Sequence, residues 1–192
     1  MVPTGVGEAY TLPHGSIAAI TGSGLFLDGK HVFAQGSVAG GPGRCWVQEI
    51  PSGTPRPFGP DTVQSAGRYS TPDGRWWPMK QGPRAPWQLY PIDGGGPRPI
   101  PWLQTNDYPL RWSDDGRWLY VITPAGVSMP IEVTRIDTRT GLRQPWLHLV
   151  APDMAGVVGN RPWVGSLTSD GRYYGYCYHR SLSDLYVTTG VR

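Results

Sequence analysis

Asp114-Asp115-Gly116-Arg117, with the alternating run over residues 118–123 behind it, decides the fold, because the same phrase returns elsewhere in the chain. The other copies are Leu27-Asp28-Gly29-Lys30, Pro72-Asp73-Gly74-Arg75 and Ser169-Asp170-Gly171-Arg172. Asp-Gly is a strong signal for a tight hairpin, since both positions tolerate positive φ, and an aromatic-rich strand follows each copy. The turn aspartates Asp28, Asp73, Asp115 and Asp170 lie 45, 42 and 55 residues apart. That is the spacing of β-propeller blades, whereas helical repeats would carry an apolar period of about 3.6 residues. The sequence therefore predicts an all-β chain: a β-propeller of four four-stranded antiparallel blades.

Composition agrees. The 192 residues include 27 Gly and 21 Pro, which break helices, together with nine Trp and ten Tyr, which a packed interior needs. The net charge is +3, but the basic residues are scattered singly through the turns and form no stripe, so no nucleic-acid partner is expected. No run of about 18 apolar residues occurs, and Met1-Val2-Pro3-Thr4-Gly5-Val6-Gly7 has neither a basic start nor an apolar middle. The expectation is a soluble chain without a signal peptide, cytoplasmic as given, or periplasmic if it belongs to a membrane-anchored parent. Cys45 and Cys177 fall within strand-like runs and read as small buried thiols rather than a disulfide.

A single propeller domain over residues 1–192 is expected, with blades at about 16–59, 64–103, 108–150 and 160–192. Strands are expected over 16–21, 31–35, 45–50 and 54–58 in the first blade, and over 67–70, 76–80, 87–92 and 97–103 in the second. The third blade reads 110–113, 118–123, 131–136 and 142–150; the fourth reads 163–167, 173–178 and 184–189, with no outer strand of its own. Gly7-Glu8-Ala9-Tyr10-Thr11-Leu12-Pro13 has no blade, yet it matches the outer-strand phrases Gly53-Thr54-Pro55-Arg56-Pro57-Phe58 and Gly96-Pro97-Arg98-Pro99-Ile100-Pro101. Pairing residues 7–13 with residues 184–189 would cover an open strand edge. Within one chain this closes a four-bladed ring; exchanged between two chains it gives an eight-bladed homodimer.

These turns, each followed by a strand and a phrase such as Leu89-Tyr90-Pro91-Ile92-Asp93-Gly94-Gly95-Gly96-Pro97-Arg98-Pro99-Ile100, resemble the TolB-like, WD40-like (PD40) propeller repeats of bacteria. The resemblance covers nearly the whole chain. Asp153-Met154-Ala155-Gly156-Val157-Val158-Gly159 and the stretch from Ser169 to Tyr186 are similar to the C-terminal propellers of acidobacterial serine/threonine protein kinases. The resemblance implies the last portion of such a propeller, or a free-standing version of it, without the kinase and the membrane segment of those longer proteins.

The four turn aspartates read as caps of their own turns, each carboxylate bonding local backbone N–H groups. Trp46, Trp76, Trp87, Trp112, Trp118, Trp146 and Trp163 read as packing between blades. A second set, Asp61, Asp107 and Asp153, follows successive outer strands at an interval of 46 residues. Equivalent loops of a propeller return to the ring centre on one face, so these carboxylates are candidate ligands for Ca²⁺, a hard cation that takes oxygen donors. His14, His31, His148 and His179 have no metal-ligand spacing, and no serine elbow, zinc motif or P-loop occurs. Two functions remain open: a scaffold propeller binding a protein or small ligand through one face, or a Ca²⁺-dependent hydrolase of a small ester or lactone, such as an acyl-homoserine lactone, with no catalytic residue assignable.

Overall fold

The computed structural model describes residues 8–63, 65–124 and 129–181, which form fourteen strands and no helix. The first sheet runs β1 (Ala19–Leu25), β2 (His31–Ser37), β3 (Gly43–Glu49), β4 (Arg56–Phe58). The second runs β5 (Ser65–Ala66), β6 (Trp76–Lys80), β7 (Gln88–Pro91), β8 (Arg98–Pro99). The third is β9 (Tyr108–Trp112), β10 (Trp118–Ile122), β11 (Ile131–Asp137), β12 (Arg143–Leu149), and the fourth pairs β13 (Val157–Leu167) with β14 (Tyr174–Arg180). Every pairing is antiparallel between chain neighbours, so each sheet is a meander and the chain is an all-β propeller of four blades. The third strand expected over 184–189, and the pairing of residues 7–13 with it, lie outside the described residues.

The four Asp-Gly turns join the first and second strands of the four blades. Gly29, Gly74, Gly116 and Gly171 sit at φ of 68°, 70°, 67° and 71°, a left-handed conformation that glycine adopts without a Cβ penalty. The first strands form the inner layer: the Arg68 N–H donates to the Pro109 carbonyl at 3.3 Å, and β13 packs against β9. The first strand of blade two was expected over 67–70 and appears at 65–66. There Pro78 has no N–H to return to Gly67, whose own N–H donates to the Pro78 carbonyl at 2.7 Å in continuation of the β5–β6 register.

Three apolar clusters fill three successive junctions. Between blades one and two, Phe26, Phe33 and Phe58 enclose Trp77, whose ring stacks on Phe33 at 4.2 Å and 9°. A Cβ on Gly24 would stand 3.0 Å from this Trp77 ring, so a larger residue there would have to push the indole by a few tenths of an ångström. Between blades two and three lie Trp87, Leu103, Trp112, Leu119 and Ile136; between three and four lie Tyr120, Ile122, Val133, Val164 and Leu167. Each fully buried side chain of this size contributes about 1.5–3 kcal/mol, so these junctions hold the blades together. On the far side of blade one, Gln48 donates through Nε2 to the carbonyls of Pro13 and Gly53 at 2.8 and 2.7 Å. The described part of the leader, residues 8–13, forms no strand there. Ile20 and Leu25 of β1 are exposed.

Candidate functional site

The repeated turns share one hydrogen-bond plan. In blade two, Asp73 Oδ1 accepts the Arg75 N–H at 3.0 Å and the Thr71 hydroxyl at 2.5 Å, while Thr71 Oγ1 accepts the Trp76 N–H at 3.1 Å. Ser113, Asp115, Arg117 and Trp118 repeat the plan in blade three, and Thr168, Asp170, Arg172 and Tyr173 repeat it in blade four. In blade one Asp28 Oδ1 accepts from Lys30 and His31, and its Oδ2 meets His31 Nδ1 at 2.6 Å. The Ser113 hydroxyl, followed by the Arg117 N–H, holds the Asp115 carboxyl below its ordinary range; Thr168 and Arg172 do the same for Asp170. These aspartates cap their turns, as their spacing implied.

Successive turns also touch, which makes them a continuous arc on one side of the molecule. The Leu27 N–H of the first turn donates to Ser70 Oγ of blade two at 3.0 Å. Gly116 of the third turn lies against Pro72 of the second, and Ser169 of the fourth donates to Asp114 Oδ2 of the third at 2.7 Å. Asp28, Asp73, Asp114, Asp115 and Asp170 are thereby strung along one arc, interleaved with Lys30, Arg75, Arg117 and Arg172 of the same turns.

The three aspartates of the blade-connecting loops each meet a guanidinium. Asp107, with its side chain fully buried, takes a two-pronged contact from Arg143, Nη1 to Oδ2 at 2.9 Å and Nη2 to Oδ1 at 2.8 Å. Asp107 also accepts the Gln104 N–H at 2.8 Å and the Thr123 hydroxyl. Asp61 is exposed and bonds Arg44. Asp153 accepts the Ala155 N–H at 2.9 Å and Arg180 Nη2 at 2.6 Å, and those donors, in that order, keep its carboxyl below the usual range. Among the described residues no three His, Cys, Asp or Glu side chains are grouped as a metal ion would need.

Two of the open cavities lie on the inner strands and on the turn arc. One, about 300 Å³, is walled by the inner strands of three blades, with Thr21, Ser23, Gln35, Arg68 and Tyr108 as its polar groups and Trp77 at its base. Burial raises the Tyr108 hydroxyl above its ordinary range, against the opposing charge of Arg68. The other, about 600 Å³ and open, lies on the turn arc between blades two and three. Its floor is Leu89, Trp102 and Trp112, and its rim carries Asp73, Asp114 and Asp115.

No family model and no curated protein matches the chain. Among solved structures it is similar to TolB of Acinetobacter baumannii, with a TM-score of 0.54 at 15% identity over 77% of this chain and 35% of that one. It is also similar to a structure from Agrobacterium tumefaciens that bears the TolB name, with a TM-score of 0.51 at 17% identity over 80% of this chain and 52% of that one. The chain folds as a TolB-like propeller. At such identities the likeness is one of fold, and the chain spans only about a third to a half of the length of these two neighbours.

Several groups of this TolB-like propeller escaped the sequence reading. Arg44, Arg143 and Arg180 are far in sequence from the aspartates they meet, so no local pattern announces them. Trp77, not Trp76, is the junction side chain: alternation turns Trp76 the other way, under the guanidinium of Arg98 at 4.2 Å from its ring centre. Asp137 caps the turn between β11 and β12 through the N–H groups of Arg139 and Thr140, with Gly141 at φ 74°. The phrase Asp137-Thr138-Arg139-Thr140-Gly141 was the available signal. Both cysteines are free; Cys45 is buried, which pushes its thiol up to about 12, whereas Cys177 is exposed, against expectation.

Proposed function

We propose that this propeller is a binding module that engages a protein partner through the face carrying the Asp-Gly turns. The observation behind this reading is the contact between successive turns, which makes one firm surface out of four hairpins. Turn carboxylates held by two or three hydrogen bonds each are fixed in place, and a fixed charge array steers and orients a partner at little ordering cost. The inner-strand cavity would serve as a secondary small-ligand site under the same reading.

The test is photo-crosslinking in cells with a benzophenone amino acid placed at Lys30 or Arg172 on the turn face, or at Arg84 in the loop between β6 and β7. A discrete adduct from the turn-face positions and none from Arg84 is the expected result. Adducts from Arg84 alone, or from no position, would overturn the proposal.

A further inference from the structure

The groove between the second and third Asp-Gly turns has the components of a cation site, and we propose that it takes an arginine side chain of the partner polypeptide. This rests on the turn face being the binding face. Trp102 and Trp112 meet edge to face at 6.0 Å and form an aromatic floor of the kind that attracts a guanidinium plane. Asp73 and Asp115 bind their own turns through Oδ1, so Oδ2 of each is available at the rim, beside Asp114.

Among the described residues no cationic side chain lines the groove. The arginines of the same two turns face elsewhere. Arg117 reaches Asp137 at 3.3 Å, and Arg75 lines a separate cavity with Trp76 and Arg98. Arg143, whose Nη1 is 3.5 Å from the Trp102 carbonyl, is held by Asp107.

Two further observations point to a polypeptide arginine. The indole N–H of Trp112 lies buried without an acceptor, although its side chain forms part of the groove wall. A buried donor of this kind is costly, and because the N–H is closed to solvent, a peptide carbonyl brought in beside the guanidinium would satisfy it once the indole shifts toward the groove. The molecule also uses the same chemistry on itself. Arg135 lies over Trp118 and Trp146, 4.3 and 4.4 Å from the ring centres, and Arg111 lies 4.4 Å over Tyr69. The groove offers the same kind of aromatic partner with carboxylates added.

The probe is the capped tripeptide acetyl-Gly-Arg-Gly-amide, titrated against tryptophan fluorescence at low salt, beside its citrulline counterpart, which keeps the shape and loses the charge. Saturable quenching is expected, weakened about tenfold or more by citrulline, by Asp73→Asn and by Asp114→Asn, and unchanged by Asp93→Asn in the exposed loop between β7 and β8, outside the groove. Trp112→Phe replaces the indole by a smaller ring without the N–H and weakens binding several-fold, with the far-ultraviolet circular dichroism still that of a folded β-sheet protein. Equal binding of the citrulline peptide, or quenching that survives Asp73→Asn and Asp114→Asn together, would overturn the arginine site. A crosslink from Lys30 or Arg172 in that event would leave the turn face standing as the binding face, so the two ideas fail separately.

Discussion

Thr71 shows how little chain is needed to make one of these turns. Its hydroxyl donates to Asp73 and accepts from Trp76, closing the ends of the hairpin around Gly74. Thr71→Val keeps the shape and removes both bonds, leaving the Trp76 N–H without its acceptor. A loss of about 1–3 kcal/mol is expected, read as a lower urea midpoint with an unchanged slope; an unchanged midpoint would show that the hydroxyl does not hold the turn. The carboxylates make a second prediction. Asp28, Asp115, Asp137, Asp153 and Asp170 all sit below the ordinary value of 3.8, although in Asp28 and Asp137 burial pushes upward and is outweighed by N–H donors. A depressed folded-state pKa means that the unfolded chain takes up the proton first as pH falls. Their contribution is therefore complete above about pH 5 and is lost as pH drops below about 4. Thermal midpoints measured across that range should fall on acidification, and a rise would contradict the assignment. The Asp-Gly phrases made this chemistry legible from sequence, because a turn is a local event and its donors lie within five residues of its acceptor.

At the scale of strands and loops, local pattern carries less. The strand β6 has the limits its alternation predicts, but the pair Trp76-Trp77 does not say which ring enters the junction; the partners Phe26 and Phe33 decide that from another blade. Asp107 is the sharper case. Its regular place in the chain made it a candidate Ca²⁺ ligand in a loop returning to the ring centre, and the fold buries it against an arginine 36 residues away. Removing that arginine strands a buried charge. Arg143→Met is expected to cost about 3–5 kcal/mol in urea unfolding. Arg44→Met, which releases the exposed Asp61, is expected to cost no more than about 1 kcal/mol. Equal losses in the two variants would remove the distinction drawn between these pairs.

For the whole molecule, the repeat spacing sufficed to predict four radial sheets, and the neighbours among solved propellers have the same fold. The cover expected for the last blade, residues 7–13 on residues 184–189, falls outside the described residues; residues 8–13 form no strand, and Pro13 meets Gln48 of blade one. The central claim is that radial sheets are locked by filled junctions, with the middle strands as the stable body. Native-state amide hydrogen exchange tests it residue by residue. The amides of β2, β3, β10 and β11 are predicted to exchange last and together, through the global opening, while those of β1 and β14 exchange earlier. Protection that is highest in β1 and β14, or a separate opening for each blade with no shared limit, would contradict it.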